Sequence, residues 1–288
     1  MAVRLYVILA RAAPMAVVFR RGPSARVLLL KWRTDTDTFE EGQWLGGRIY
    51  ERRGDLTPNG NYLVYFAAKY KTPMATWTAV SRPPWLTAVA LWPKGDAWGG
   101  GGLWDDERIL QVNHRPTQMK LGEGFTIPKR IRVSTPIREG YGEGEDFPIW
   151  GARLHRDGWT CTSPGESKEQ RLNAKLWMIF DPPMVWEKPR PGAPKTKLRM
   201  IIRGLSERGG AWYATDHEVM SPGVTRALPG TSWADWDRNG DLLYAEGGGI
   251  FRFRLGKDEA AKKLVDLSGS AFVNRRSPGW AREWFARG

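Results

Sequence analysis

One short pattern occurs twice in this chain, and it constrains the fold more than any other feature. The first copy is Gly54-Asp55-Leu56-Thr57-Pro58-Asn59-Gly60-Asn61-Tyr62-Leu63-Val64-Tyr65, and the second is Ala234-Asp235-Trp236-Asp237-Arg238-Asn239-Gly240-Asp241-Leu242-Leu243-Tyr244. In each, an aspartate opens a short strand, Asn-Gly makes a tight turn, and an apolar strand returns to a tyrosine. Asn-Gly suits a hairpin because both residues tolerate positive φ. Gly60 and Gly240 are therefore expected in that conformation. Looser copies are read at Leu91-Trp92-Pro93-Lys94-Gly95-Asp96-Ala97-Trp98 and Trp150-Gly151-Ala152-Arg153-Leu154-His155-Arg156-Asp157-Gly158-Trp159.

Around these copies the chain reads as one short strand after another. Residues 15–20, 26–31, 62–67, 75–81, 86–92, 176–180, 198–202 and 250–255 are apolar or alternating runs, most of them bounded by Gly, Pro, Asn or Asp. Helical periodicity is confined to 258–265 and 279–287. With 33 glycines and 20 prolines, a helical bundle or a doubly wound sheet is disfavoured. The reading is all-β, with helix below about 15% of the chain.

The stretch from Asp55 to Tyr65 resembles the blade motif of TolB-type β-propellers, in which an aspartate strand, a Ser-Pro-Asp-Gly-like turn and an outgoing strand recur. Thr57 and Asn59 stand where that motif usually has serine and aspartate, and the copy at 235–244 keeps the turn without the proline. The resemblance implies a small β-propeller, expected here as a single domain over 1–288. Inner strands placed near Val17, Arg53, Val89, Trp150 and Ala234 give five blades, or six if the wide last gap holds another. Residues 3–10 are then expected to complete the blade of the C-terminal region and close the ring, since closure removes edge strands. A β-sandwich or irregular barrel is the competing architecture. Neither fixes a function.

Two segments read as surface loops within the domain: acidic, glycine-rich 139–147 and basic, proline-rich 188–199. The second carries Lys188, Arg190, Lys195, Lys197 and Arg199. Across the chain, 44 Lys plus Arg against 31 Asp plus Glu leave a formal charge of +13. Such an excess favours a polyanion or an acidic protein as partner, although a scattered basic surface also serves solubility alone. The single cysteine, Cys161, excludes an internal disulfide framework and a cysteine-based zinc knuckle, which suits a reducing, cytoplasmic setting. The apolar run at 5–10 lies between Arg4 and Arg11, so it reads as a buried strand rather than a membrane span or signal peptide.

Candidate sites follow from chemistry. Arg48, Arg52, Arg53 and Arg82 fall near the proposed inner strands, and a planar guanidinium suits carboxylate or phosphate recognition; bracing between strands through Asp55 is the other role open to them. Residues 235–246 place oxygen side chains at positions 1, 3, 5 and 7 of a calcium-type loop, with Gly240 at 6 and Glu246 at 12. Trp236 and Leu243 fit such a loop poorly and no helix flanks it, so a structural hairpin is the reading and no metal or cofactor is assigned. The three histidines, His114, His155 and His217, show no metal-ligand spacing, and no nucleophile elbow or phosphate-binding loop occurs. Of the sixteen tryptophans, Trp44, Trp77, Trp92, Trp150 and Trp233 read as packing residues, whereas Trp85, Trp98 and Trp104 are the exposed candidates. The function expected is a non-catalytic scaffold for an acidic macromolecule or small molecule. A hydrolase or lyase using Asp55, Asp96, His155, Asp235 and these arginines in a central channel is the first alternative, and a lectin-like module the second.

Overall fold

The computed structural model describes residues 3–135, 145–169, 176–205 and 211–285. The chain is all-β, 51% strand and 6% helical, and no helix among the described residues is long and apolar enough to cross a membrane. It divides into two compact units. An N-terminal unit comprises Val7–Arg153 with Ser270–Gly288, and a C-terminal unit comprises Leu154–Gly269 with Met1–Tyr6.

Strands β1 (Arg4–Leu9), β2 (Met15–Arg21), β3 (Arg26–Arg33) and β4 (Thr38–Gly46) form a four-stranded antiparallel meander. A second meander in the N-terminal unit consists of β5 (Arg48–Leu56), β6 (Leu63–Ala68), β7 (Thr76–Ser81) and β8 (Ala88–Pro93). Strands β9 (Gly102–Trp104), β10 (Ile109–Val112) and β11 (Arg132–Ser134) make a small sheet in which β11 runs parallel to β10. Both β6 and β7 are buried along their whole length, which explains why they read as continuous apolar runs rather than alternating ones. Val64, Val80, Trp92, Trp104 and Leu110 form the core between the second and third sheets.

After helix α1 (Phe147–Arg156), the C-terminal unit holds β12 (Thr160–Ser163), β13 (Ser167–Glu169), β14 (Met178–Arg190), β15 (Ala193–Leu205), β16 (Tyr213–Ser221) and β17 (Val224–Leu228). These form one sheet in the order β12-β14-β15-β16-β17, with β13 paired to β14. A last meander follows: β18 (Thr231–Trp236), β19 (Leu242–Glu246), β20 (Gly249–Phe253) and β21 (Lys262–Asp266).

Every strand expected from the apolar runs lies wholly or largely in a strand. The repeated turn is present in both places, with Gly60 at φ 77° and Gly240 at φ 78°. Each glycine closes a β-turn, Gly60 N donating to Thr57 O at 2.8 Å and Gly240 N to Asp237 O at 3.0 Å. Only the glycine of each Asn-Gly pair has positive φ, so the hairpins use a turn followed by a left-handed glycine rather than a two-residue loop.

Several expectations are corrected. Strand β1 pairs with β2 and not with the C-terminal meander, because the short 10–14 link makes the local hairpin the easier partner. Val17 consequently lies in the second strand of its sheet and Val89 in the last strand of another. The looser copy at 150–159 is mostly helix α1, whose buried Ile149, Trp150, Arg153 and Leu154 follow helical spacing. Of the two segments read as helical, 258–265 contributes its second half to an edge strand, Lys262–Asp266, on β20, and 279–287 holds only the 3-10 turn Gly279–Arg282 among its described residues. Most of the expected loop at 139–147 lies outside the described residues, but Asp146 is buried and Phe147 begins α1. Residues 188–199 are not a loop: they are the end of β14, the turn at Pro191-Gly192 and the start of β15.

A Cβ built on Gly240 would lie 2.8 Å from Pro191 O, on a backbone that L residues rarely adopt. Gly240→Val should therefore lower unfolding stability by about 1 to 3 kcal/mol in urea titrations. Gly46→Ala, where a Cβ meets nothing within 4 Å, should change it by less than about 0.5 kcal/mol.

Candidate functional site

Strand alternation in the C-terminal unit determines which side chains can meet. Across β15, β16 and β17, Leu198 lies opposite Val219 and Val219 opposite Arg226, while Met200, His217 and Leu228 form the next row. Those rows make the inner face of the sheet, where Leu198, Met200, His217, Val219 and Leu228 are buried. One row further towards the hairpin tips, Ser221 faces Val224, and the Thr196 and Ser221 hydroxyls are 3.2 Å apart. Here the apolar face extends past its packing, and a cleft of about 340 Å³ opens against the end of β20. Val219, Val224, Phe253 and Leu255 supply its apolar walls, and Arg190 and Arg226 stand at its rim.

The two arginines have donors to spare. Arg190 Nε donates to Gly240 O at 2.7 Å, and its terminal nitrogens have no protein partner among the described residues. The Arg226 guanidinium rests 4.4 Å from the Phe253 ring centre without an ion pair among those residues. Arg190 was expected as a binding residue and Arg226 was not. The signal for Arg226 is its place in Val224-Thr225-Arg226-Ala227-Leu228, a charged residue at the inward parity of an edge strand.

The remaining basic residues of 188–199 do not converge. Lys188 lies opposite Leu198 on the inner face, donates to Asp235 Oδ1 at 2.6 Å and approaches the Trp159 ring. Lys197 and Arg199 occupy the outer face, where Glu187, Arg199 and Glu218 stand directly opposite one another across three strands. Lys197 Nζ is 2.8 Å from Glu187, and Arg199 is 2.8 Å from Glu187 and 2.9 Å from Glu218. The bond from Lys197 and those from Arg199 hold the Glu187 carboxyl below its usual range, against the opposing effect of burial. Such cross-strand pairs stabilise the sheet and consume the field that a polyanion would need. Lys195 is exposed, with no such partner among the described residues.

In the N-terminal unit, the expected arginines act mainly as braces. Arg53 is 1% exposed; its Nε donates to Asp146 Oδ1 at 2.6 Å, and Nη1 to the carbonyls of Ala97 and Gly99 at 2.7 Å each. Arg48 and Arg53 flank the Tyr50 ring at 4.2 and 4.5 Å. Burial, with a hydrogen bond to Tyr70, pushes the Tyr50 hydroxyl up to about 12. Arg52 covers Trp150 at 4.7 Å and pairs with Glu51 at 3.6 Å. Arg82 is also buried, and it contacts the C-terminal segment rather than the other three.

The alternative catalytic residues are engaged elsewhere. Asp55 accepts from Trp104 N at 2.8 Å, Asp96 pairs with Lys94 at 2.7 Å, Asp235 with Lys188, and His155 packs edge-on against Trp186. The calcium-like loop already holds a cation of the protein itself. Arg252 bonds both Asp237 and Asp241, while Asp237 Oδ1 also accepts from Asn239 N and Asp241 N at 2.8 and 2.9 Å. Among the exposed candidates, Trp98 is 60% exposed, Trp85 is half-buried and Trp104 is fully buried. Of the expected packing residues, Trp77, Trp92, Trp150 and Trp233 are buried and Trp44 is half-buried.

No protein-family model matches the chain, and no curated protein does. Among solved structures, it is similar to an acylaminoacyl peptidase in complex with Z-Gly-Gly-Phe-chloromethyl ketone, at TM-score 0.38 and 10% identity over 93% of this chain and 53% of that one. It is also similar to an uncharacterised protein from Listeria monocytogenes EGD-e, at TM-score 0.32 and 9% identity over 92% and 84%. The chain thus spans about half the length of the peptidase. Likeness at this level concerns the fold and brings neither family nor activity.

Two outcomes follow. Because Arg252 occupies the carboxylates of the 235–246 turn, adding calcium or a chelator should leave the melting temperature unchanged, whereas a bound ion at a hundredfold excess over Kd would add about 2.7 kcal/mol. His114 accepts from Thr78 Oγ1 at 2.8 Å and donates to Gln118 O at 3.0 Å, and burial lowers its pKa from 6.5 to about 4. The unfolded chain then binds the extra proton first, so stability is complete above pH 6.5 and falls towards pH 4, by up to about 3 kcal/mol. His114→Gln should flatten that part of the pH–stability curve measured by chemical denaturation.

Proposed function

We propose that the protein is a non-catalytic binding scaffold of the β-propeller type, its five sheets serving as blades, and that it takes an acidic ligand through the cleft of the C-terminal unit. The observation that carries this reading is Arg190, anchored by one nitrogen to Gly240 O, its terminal donors beside an apolar wall and without a partner among the described residues. Arg226, steadied on Phe253, supplies a second fork at the same rim. Guanidinium donors beside apolar walls select a ligand with an anionic head, such as a carboxylate, and an apolar body. The volume suits a small molecule or the end of a chain rather than a folded surface.

A hydrolase or lyase reading is weaker at this site. Ser221 shares its hydrogen bond with Thr196, and the lining contains no histidine, carboxylate or cysteine to act as base or nucleophile. A lectin-like reading rests on the exposed Trp177, whose ring lies 6.5 Å from that of Trp212. The polyanion reading keeps Lys195 and the net charge in its favour.

Calorimetric titration with medium-chain alkanoates and phenylalkanoates, each against its neutral amide, separates these readings. Saturable binding of the carboxylates is expected, and Arg190→Met or Arg226→Met should weaken it about 10- to 100-fold, the value of a charge-assisted hydrogen bond. Equal binding of acid and amide would remove the cleft as an anion site, and preferential binding of neutral oligosaccharides would favour the lectin. An experimental structure whose sheets do not share one axis would overturn the propeller.

A further inference from the structure

We infer that Tyr62, Arg82 and Arg130 form a peptide-binding groove in the N-terminal unit, and that residues 277–285 of this chain are its resident and displaceable occupant. The groove stands on rigid elements. Tyr62 enters β6 and Arg82 follows β7, and both are buried. Arg82 makes no contact ion pair among the described residues, the Glu283 carboxyl acting on its charge only from farther off, although a carboxylate in contact is the usual mate of a buried guanidinium. Its donors go instead to the main-chain carbonyls of Trp280 and Glu283, the latter at 3.1 Å. The same guanidinium lies 4.7 Å from the Trp280 ring and 3.5 Å from that of Phe285.

Phe285 is held at both polar backbone atoms. Its N–H donates to the Tyr62 hydroxyl at 2.8 Å, and its carbonyl accepts from Arg130. Side chains that satisfy main-chain groups hold a segment irrespective of its sequence, as peptide-binding grooves do. Selectivity comes from the rings. Trp284 and Phe285 lie 4.9 and 5.5 Å from the Tyr62 ring and pack on the core of Val64, Trp92, Trp104 and Leu110. Trp284 Nε1 also reaches Thr126 O at 3.1 Å.

The occupant contrasts with the groove. From 270 to 285 only Ser277 and Ala281 are buried, and the sole regular element is the 3-10 turn Gly279–Arg282. Its upstream attachments are only partly buried: exposed Phe272 against half-buried Trp44 and Arg275 with Glu41 at 3.1 Å. A segment with few buried residues and no ladder opens locally at far less than the cost of global unfolding. The groove therefore persists when the segment lifts. The competing partner it fits is an extended peptide with two adjacent aromatic residues, as in Glu283-Trp284-Phe285.

The test uses the full chain and a labelled peptide with the sequence of residues 277–285. Fluorescence anisotropy should show saturable binding that tightens when the chain's own tail is weakened by Trp284→Ala with Phe285→Ala; in that tail-weakened chain it should fall at least tenfold with Arg82→Met and with alanine at both aromatic positions of the peptide. Hydrogen exchange on the unlabelled protein should show the Trp284 and Phe285 amides exchanging at least a hundredfold faster than those of β6 and β7. Excess peptide should speed tail exchange further and leave the strands unaffected. Binding indifferent to Arg82→Met overturns the groove. Tail amides that exchange only with β6 and β7 show a fixed structural strap and overturn the displaceable occupant, whether or not a variant folds.

Discussion

The N-terminal unit depends on one buried guanidinium. Arg53 joins β5 to the main chain of Ala97 and Gly99 and to Asp146 just ahead of α1, with Tyr50 and Phe66 closing over its plane. The glycine run after residue 98 exists to let this happen. A Cβ on Gly101 would lie 1.8 Å from Arg53 O, and one on Gly100 2.3 Å from the Phe66 ring. Only a bare backbone comes that close. Removing the charge of either Arg53 or Asp146 would leave the other buried and unpaired, a loss of about 3 to 5 kcal/mol.

The same device recurs throughout the chain, and it changes the meaning of the positive charge. Arg11 donates to the carbonyls of Trp104 and Asp105, Arg20 to Gly22 O, Arg153 to Gly54 O and Arg275 to Glu41 O. Turns, and the outer strands β4, β5 and β9 of their sheets, leave carbonyls outside the strand ladder, and a guanidinium with five donors can satisfy several at once. Arginine here substitutes for secondary structure. A net charge of +13 thus overstates the field available to a partner, since many of these cations are turned inward.

Local chemistry was legible in the sequence where it acts locally. Thr57-Pro58-Asn59-Gly60 and Asp237-Arg238-Asn239-Gly240 specify their turns within four residues, proline or arginine at the second position and glycine at the left-handed one. Helix α1 was hidden because Trp150-Gly151 and Asp157-Gly158 imitate the borders of a hairpin, while its stability comes from burying Ile149, Trp150 and Leu154. The prolines of 188–199 suggested a loop. Pro191 turns the chain, and Pro189 and Pro194 sit beside the turn, so the ladder between β14 and β15 closes around them. Strand β21 looked helical because, as a largely exposed edge strand, it has no buried face to impose alternation on its sequence.

The site was legible to the extent that parity was. Once the turn falls at Pro191-Gly192, Lys188 and Arg190 share the inner face with Leu198, and Lys197 and Arg199 must point outward. Clustering in sequence therefore says nothing about clustering in space, and five adjacent cations divide between two surfaces. What separates a bracing arginine from a binding one is the number of donors left over. Arg53 has spent its donors on two carbonyls and an internal carboxylate, and Arg252 is held by Asp237 and Asp241. Arg190 spends one nitrogen on Gly240 O and Arg226 only its flat face on Phe253. Under the proposed function, an anion arriving at that rim would meet positioned donors that no described residue engages. At Arg82 the displaced group would be the protein's own main chain, which makes occupancy there a competition between two peptides.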